Sequence, residues 1–164
     1  MSEENSIDIY YFEKENREYF ERSLPPRPAH YFDSEGFKEL TRELLREQEN
    51  HDVYMHLIRD AQGTMVGRIN LSVLGKDRKT AELGYRIGEN VTNLGYASEA
   101  VKLVLEKAFT TYGLHKIIAG TATDNLISQR VLLKNGFTFS KIIENDFQMH
   151  NEWIHTAVFE IRNL

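Results

Sequence analysis

At 164 residues with a formal net charge of −5, the chain is long enough for one domain with a substantial core, and its acidity argues against broad binding of duplex nucleic acid, which depends on Lys and Arg. It has no cysteine, which excludes disulfides, thiolate metal sites and thiol nucleophiles and leaves covalent chemistry to oxygen and nitrogen. No apolar run approaches the roughly 20 residues of a membrane span and no signal peptide is apparent, so a single soluble, cytoplasmic domain over residues 1–164 is expected.

In chain order, "IDIYYFEKENREYFER" is rich in aromatics. Ile9, Phe12, Tyr19 and Phe20 can share a helical face, although a short strand over 7–12 competes with that reading. "LPPRP", Leu24 to Pro28, holds all three prolines and reads as a stiff connector rather than a linker between domains. Behind it, Phe37, Leu40, Leu44 and Leu45 fall at helical spacing, with Ser34 as a candidate N-cap.

Strands follow. "VYMHLIRD" and "MVGRINLSVL" flank the turn "AQG", and Ile69, Leu71 and Val73 alternate as in a half-buried strand. "AELGYRI" alternates again through Ala81, Leu83, Tyr85 and Ile87, giving three antiparallel strands. The period then changes: Ala97, Ala100, Val101, Val104, Leu105, Ala108, Phe109 and Tyr112 mark a firm amphipathic helix. "KIIAGTAT" reads as a strand, and "DNLISQRVLLKNG" as a helix capped by Asp124 or Asn125 and ended by Gly136. "FTFSKIIEN" and "NEWIHTAVFEIRNL" close the chain as strands. The fold class is therefore α/β in the broad sense, or α+β, with helices packed on a mixed sheet.

The segment "ENVTNLGYASEA" carries the first functional signal. A turn containing Gly95 between a strand and a strong helix aims unpaired backbone N–H groups at one point, where the helix dipole also favours an anion. Neither a Walker loop nor a G-x-G-x-x-G fingerprint is present.

"TNLGYA" resembles the Q/R-x-x-G-x-G/A pyrophosphate loop of the GNAT N-acetyltransferase superfamily. "DNLISQRVLLKNGF" is similar to that family's second cofactor segment, and the spacing, over residues 52–162, resembles the branch that acetylates the N-terminal alanine or serine of ribosomal proteins. The resemblance implies a mainly antiparallel central sheet with helices on both faces and acetyl-CoA as co-substrate. It also implies contacts from the backbones of Asn93, Leu94, Gly95, Tyr96, Ala97 and Ser98 to the pyrophosphate, and from Ile87 to the pantetheine arm. Asn125 and Lys134 complete the cofactor set. Departures from the pattern are a loop poorer in glycine at Thr92 and Asn93, Leu132 where many members carry a catalytic tyrosine, and a weak or missing first strand.

Amide formation needs a neutral amine, and an α-amine with pKa near 8 costs under about 1 kcal/mol to deprotonate at pH 7.4, against roughly 4 kcal/mol for a lysine. Glu82 is the candidate base, through water, and Ser128 the candidate proton donor to the leaving thiolate. The histidine pairs lie in predicted turns and strands without a metal-binding helix motif, and His155 reads as a packed strand residue. Trp153 and Tyr31 are more readily explained by packing than as walls of a cleft. No metal is expected. The expected acceptor is a protein N-terminal α-amine. A polyamine or aminoglycoside, or a CoA-binding module without turnover, are the alternatives. Strands near residue 160 offer a possible dimer edge.

Overall fold

The computed structural model describes residues 3–163. Two helices open the chain, α1 (Ser6–Glu15) and α2 (Arg17–Glu21). The competing strand over 7–12 is not formed: Ile9, Phe12 and Glu13 are buried while Ile7 and Tyr11 are exposed, which fits a helical face and breaks a period of two. No strand precedes α1 among the described residues. The proline connector then leads through a single 3₁₀ turn, Ala29–Phe32, to α3 (Ser34–Glu49). The cap of α3 is Asp33, one residue before the expected Ser34: its Oδ1 accepts from Gly36 N–H at 2.7 Å, while Ser34 is already helical.

Strands β1 (Val53–Arg59), β2 (Met65–Leu74) and β3 (Thr80–Ile87) form an antiparallel meander. The β1–β2 turn is built on Asp60, whose carboxylate accepts from the N–H groups of Gln62 and Thr64. Helix α4 (Tyr96–Thr110), strand β4 (Lys116–Ala122), helix α5 (Leu126–Lys134) and the pair β5 (Thr138–Met149) and β6 (Glu152–Arg162) complete the chain. The sheet order is β1-β2-β3-β4-β6-β5, antiparallel except for β3 and β4. Residue 160 lies in β6, which has neighbours on both sides, so the free edges are β1 and β5 and not the strand expected.

Helices cover both faces, each with its own core. On one, Leu71, Ala81, Leu83, Ile117, Ala119 and Phe159 pack against Val101, Val104, Ala108 and Leu132 of α4 and α5. On the other, Met55 packs with Ile9, Tyr31 and Phe37 from α1, the 3₁₀ turn and α3. Helix α5 ends in a Schellman arrangement: Phe137 N–H bonds Leu132 C=O, Gly136 N–H bonds Leu133 C=O, and Gly136 has φ +86°. Phe137 and Leu132 join the same core, which fixes the angle at which α5 leaves the sheet.

Candidate active site

The site follows from a short seam. Strands β3 and β4 run parallel but pair only at Thr80–Lys116, Ala81–Ile117 and Glu82–Ile118, although β3 continues to Ile87 and β4 to Ala122. Beyond Glu82 they part, and the β4-facing edge of Leu83 to Ile87 is left without a strand partner in the sheet. A wedge of this kind accepts an extended chain as an added strand.

At the far end of β3 the backbone is shaped for an anion. Asn93 (φ +62°) and Gly95 (φ +91°, ψ −8°) both take the left-handed conformation, and Gly95 caps α4 with no side chain bonded to the helix start. The first helical bond there runs from Glu99 N–H to Gly95 C=O at 3.1 Å, so the amides of Tyr96, Ala97 and Ser98 open the helix without an intrahelical acceptor. A Cβ added to Gly95 would meet no atom within 4 Å, so the space above the turn is clear. The loop is held from below by Asn16, whose Oδ1 accepts from Glu89 N–H at 2.9 Å, and by the Arg22–Glu89 ion pair at 3.0 Å.

Helix α5 links both parts. Asn125 is its N-cap, accepting from Ser128 N–H at 3.1 Å, which decides between the two expected caps. One turn in, Ser128 Oγ lies 2.9 Å from Tyr85 Oη, a hydroxyl pair bridging β3 and α5 beside the wedge. Burial raises the Tyr85 pKa and the Ser128 bond partly opposes it, so the phenol is neutral, and can donate, at neutral pH. At the other end of α5, Asn135 Nδ2 donates to Ser98 Oγ at 3.3 Å, tying that end to the start of α4, while its neighbour Lys134 is exposed. Leu132, where a tyrosine was sought, is only 1% exposed and belongs to the core. Tyr85 and Asn135 join the candidate set only from the structure: Tyr85 reads in the sequence as one more residue on an alternating strand, and its partner lies 43 positions away.

Glu82 lies on the opposite side of the sheet. Ala81, Leu83, Tyr85 and Ile87 face α4 and α5, whereas Glu82, Gly84 and Arg86 face α1 and α3. Glu82 is exposed, paired across β2 with Ser72, and sits where the seam ends. The expected residues thus divide into Ser128, Asn125, Ile87, Lys134 and the 93–98 loop on one face and Glu82 on the other, at the point where β3 and β4 cease to pair.

On the Glu82 face a cavity of about 280 Å³ lies between α3 and strands β1 and β2, with Arg27, Arg68, Asn70 and Ser72 among its walls. Below it Glu13, 1% exposed, is ringed by three guanidiniums: Arg86 at 2.8 Å, Arg68 at 3.0 Å and Arg27 at 3.2 Å. Burial pushes the Glu13 carboxyl up, but Arg68, Arg86 and Arg27 together outweigh it and hold the pKa below the ordinary carboxylate value. Burial pushes Arg86 down to about 10, so it stays charged at neutral pH.

His155 is exposed rather than packed. Its Nδ1 accepts from Asn145 N–H at 3.1 Å and pins a bulge where three residues of β5, between Ile143 and Phe147, oppose His155 alone in β6. Trp153 is exposed and Tyr31 is buried in the second core. Among the described residues no group of His, Asp and Glu could hold a metal, and no helix is long and apolar enough to cross a membrane.

A mixed sheet parted between two parallel strands, beside an open helix start, defines the class: an acetyltransferase domain of the GNAT type. Residues 4–138 match the family described as "Acetyltransferase (GNAT) domain". The chain is 29% identical over 153 residues to the probable N-acetyltransferase YjcK of Bacillus subtilis (strain 168), covering 92% of this chain and 84% of that protein. Its fold superposes with a TM-score of 0.92 at 19% identity on ribosomal-protein-S5-alanine acetyltransferase from Vibrio fischeri, over 99% of this chain and 90% of the other. It also superposes with a TM-score of 0.82 at 18% identity on spermidine N-acetyltransferase from Vibrio cholerae, solved with CoA and spermine, over 99% and 92%. The chain belongs to the GNAT family and is an N-acetyltransferase.

Proposed function

We propose that the protein transfers acetyl from acetyl-CoA to a protein N-terminal α-amine. The observation that carries this reading is the seam: β3 and β4 part at Glu82, with an open helix start and a Tyr85–Ser128 hydroxyl pair on one face and Glu82 and a cavity on the other. The residues fit the co-substrate, because the turn at Gly95 is clear of side chains and the Leu83–Ile87 edge offers unpaired backbone to a pantetheine-like chain.

Acetyl-CoA supplies an acetyl group activated as a thioester. In this reading the amides of residues 93–98 bind the pyrophosphate, with Lys134 adding charge, while Ile87 orients the arm by backbone pairing and Asn125 fixes the start of α5. Glu82, through water, takes the proton that the acceptor ammonium must lose. As the C–N bond forms and the C–S bond breaks, Tyr85 or Ser128 donates a proton to the departing sulfur, and the second proton, shed by the acylated nitrogen, returns through water and the Tyr85–Ser128 hydrogen bond to the hydroxyl that gave one. The low deprotonation cost of an α-amine suits an exposed carboxylate acting at a distance.

A polyamine acceptor is the second reading, favoured by Glu43 and Glu47 in the cavity wall. Thiol release from acetyl-CoA with Ala- or Ser-starting peptides, spermidine and an aminoglycoside separates the two, and the absence of cysteine keeps the protein from consuming the thiol reagent. Peptide-dependent release that falls at least about tenfold in Glu82→Gln supports the proposal; release with spermidine alone defeats it.

A further inference from the structure

The cavity on the Glu82 face has two chemically different ends. Arg27 and Arg68 lie at one, with Tyr31, Phe37 and Thr41; Ser72 and Val53 lie at the other, where the C-terminal half of α3 brings Glu47 and Glu43. Ser72 pairs directly with Glu82, the residue at the end of the seam, so the carboxylate end of the cavity is also the end at the opening. Ser72 lies four residues along β2 from Arg68, a span of about 13 Å.

The arginine end is not neutralised from within. Three guanidiniums share the single Glu13 carboxylate, which leaves two positive charges uncompensated, and Glu13 does not line the cavity although Arg27 and Arg68 do. Nε of Arg68 and Nε of Arg27 are both buried without a hydrogen-bond partner, although Arg68 Nε lies 3.0 Å from Glu13 Oε1. Guanidiniums that outnumber their carboxylate partner accept a further anion, and a carboxylate or phosphate is the group that fits them.

We infer that this cavity selects a zwitterionic acceptor: a primary amine held at the Glu82, Glu43 and Glu47 end, joined to a carboxylate or phosphate that reaches Arg27 and Arg68. Taken with the amine-transfer reading, on which it rests, this narrows the substrate class. The span excludes the α-carboxylate of a single amino acid, which lies beside its own amine. It suits an acidic group roughly two or three residues' length away, as in a peptide with an acidic side chain near its N-terminus or a short ω-amino acid. A polyamine places positive charge where the cavity is already positive.

The test uses matched acceptors differing by one charge: Ala-Ala-Glu-Ala-amide against Ala-Ala-Gln-Ala-amide, and 6-aminohexanoate against hexylamine, with spermidine as the polycation. The expected result is a kcat/KM preference of at least about tenfold for the acid in one pair, the size of a charge-assisted contact. That preference should shrink to within about threefold in Arg27→Gln. Arg27 is chosen because it is the most exposed of the three arginines, and far-UV circular dichroism verifies folding. Preference in the peptide pair identifies a peptide source, and preference in the second pair a small molecule. Equal rates within both pairs, a preference untouched by Arg27→Gln, or spermidine outrunning both acids overturns the inference. If nothing turns over, titration calorimetry of the same pairs decides. Charge-dependent binding that disappears in Arg27→Gln upholds the anion subsite and defeats only the transfer reading; equal binding, or none, overturns the subsite.

Discussion

Replacing Glu13 by glutamine keeps the shape of the side chain and removes its charge. The carboxylate is 1% exposed, and its partners Arg68 and Arg86 are 11% and 14% exposed, so solvent cannot substitute for the lost anion. Breaking a buried ion pair by deleting one partner costs about 3–5 kcal/mol, and three cations around one centre put Glu13→Gln in the upper part of that range. For a chain of this length that is a fall in Tm of roughly 6–20 °C. Urea denaturation of both proteins at pH 7 measures it. A second arm exploits the sign of the pKa shift. Glu13 is depressed in the folded state, so its stabilisation is complete above the ordinary carboxylate pKa of 4.5 and is lost as pH falls through the lower folded value. The wild-type advantage over Glu13→Gln should hold constant from pH 7 to about 5 and shrink below about 4.5. A difference under about 1 kcal/mol at pH 7, or one that grows on acidification, refutes the picture of a carboxylate holding three guanidiniums together.

Gly95→Ala forces a Cβ onto a residue at φ +91° and should cost about 1–2 kcal/mol by thermal denaturation, while weakening acetyl-CoA binding measured by calorimetry. Tyr85→Phe and Ser128→Ala, which each remove one member of the 2.9 Å pair, should each lower kcat with KM for the acceptor little changed. The double variant should be no worse than about twofold below the poorer single, because the two hydroxyls act as one unit. Asn125→Ala should lose about 1 kcal/mol of stability with its cap, and Asn125→Asp should restore that stability; if Asn125 also contacts the co-substrate, Asn125→Asp still raises KM for acetyl-CoA.

How much of this was legible in the sequence depends on the range over which each signal acts. Helix α4 and the strands carrying Leu71 and Leu83 announce themselves because their periods are local and their burial one-sided. The cap of α5 was legible to within one residue, Asp124 or Asn125, since a cap is decided within one turn, and the structure takes Asn125. The N-terminal segment was ambiguous because aromatics at both odd and even positions fit either period, and the burial pattern, with Phe12 and Glu13 buried side by side and Ile7 and Tyr11 exposed, settles it. The Asp33 cap lay one residue from the expectation, in a run where Asp33 and Ser34 are both good caps. The Glu13 cluster was beyond sequence reasoning altogether: its members come from α1, the proline connector, β2 and β3, and each alone reads as a surface charge. His155 misled by continuing the alternation of β6 past the point where the bulge in β5 ends its cover.

The three residue pairs between β3 and β4 also have a mechanical meaning. On one side of them β1, β2 and β3 are joined by registers of seven and eight pairs; on the other, β4, β6 and β5 are joined by seven and eight. The six-stranded sheet is thus two stiff plates sharing a narrow flexure. Twisting one plate against the other disturbs few backbone hydrogen bonds, whereas bending either plate disturbs many. Compliance is concentrated along the line where the wedge begins, and the link between α4, which packs on β2 and β3, and α5, which packs on β4 and bonds Tyr85 of β3, sets how far the wedge can open.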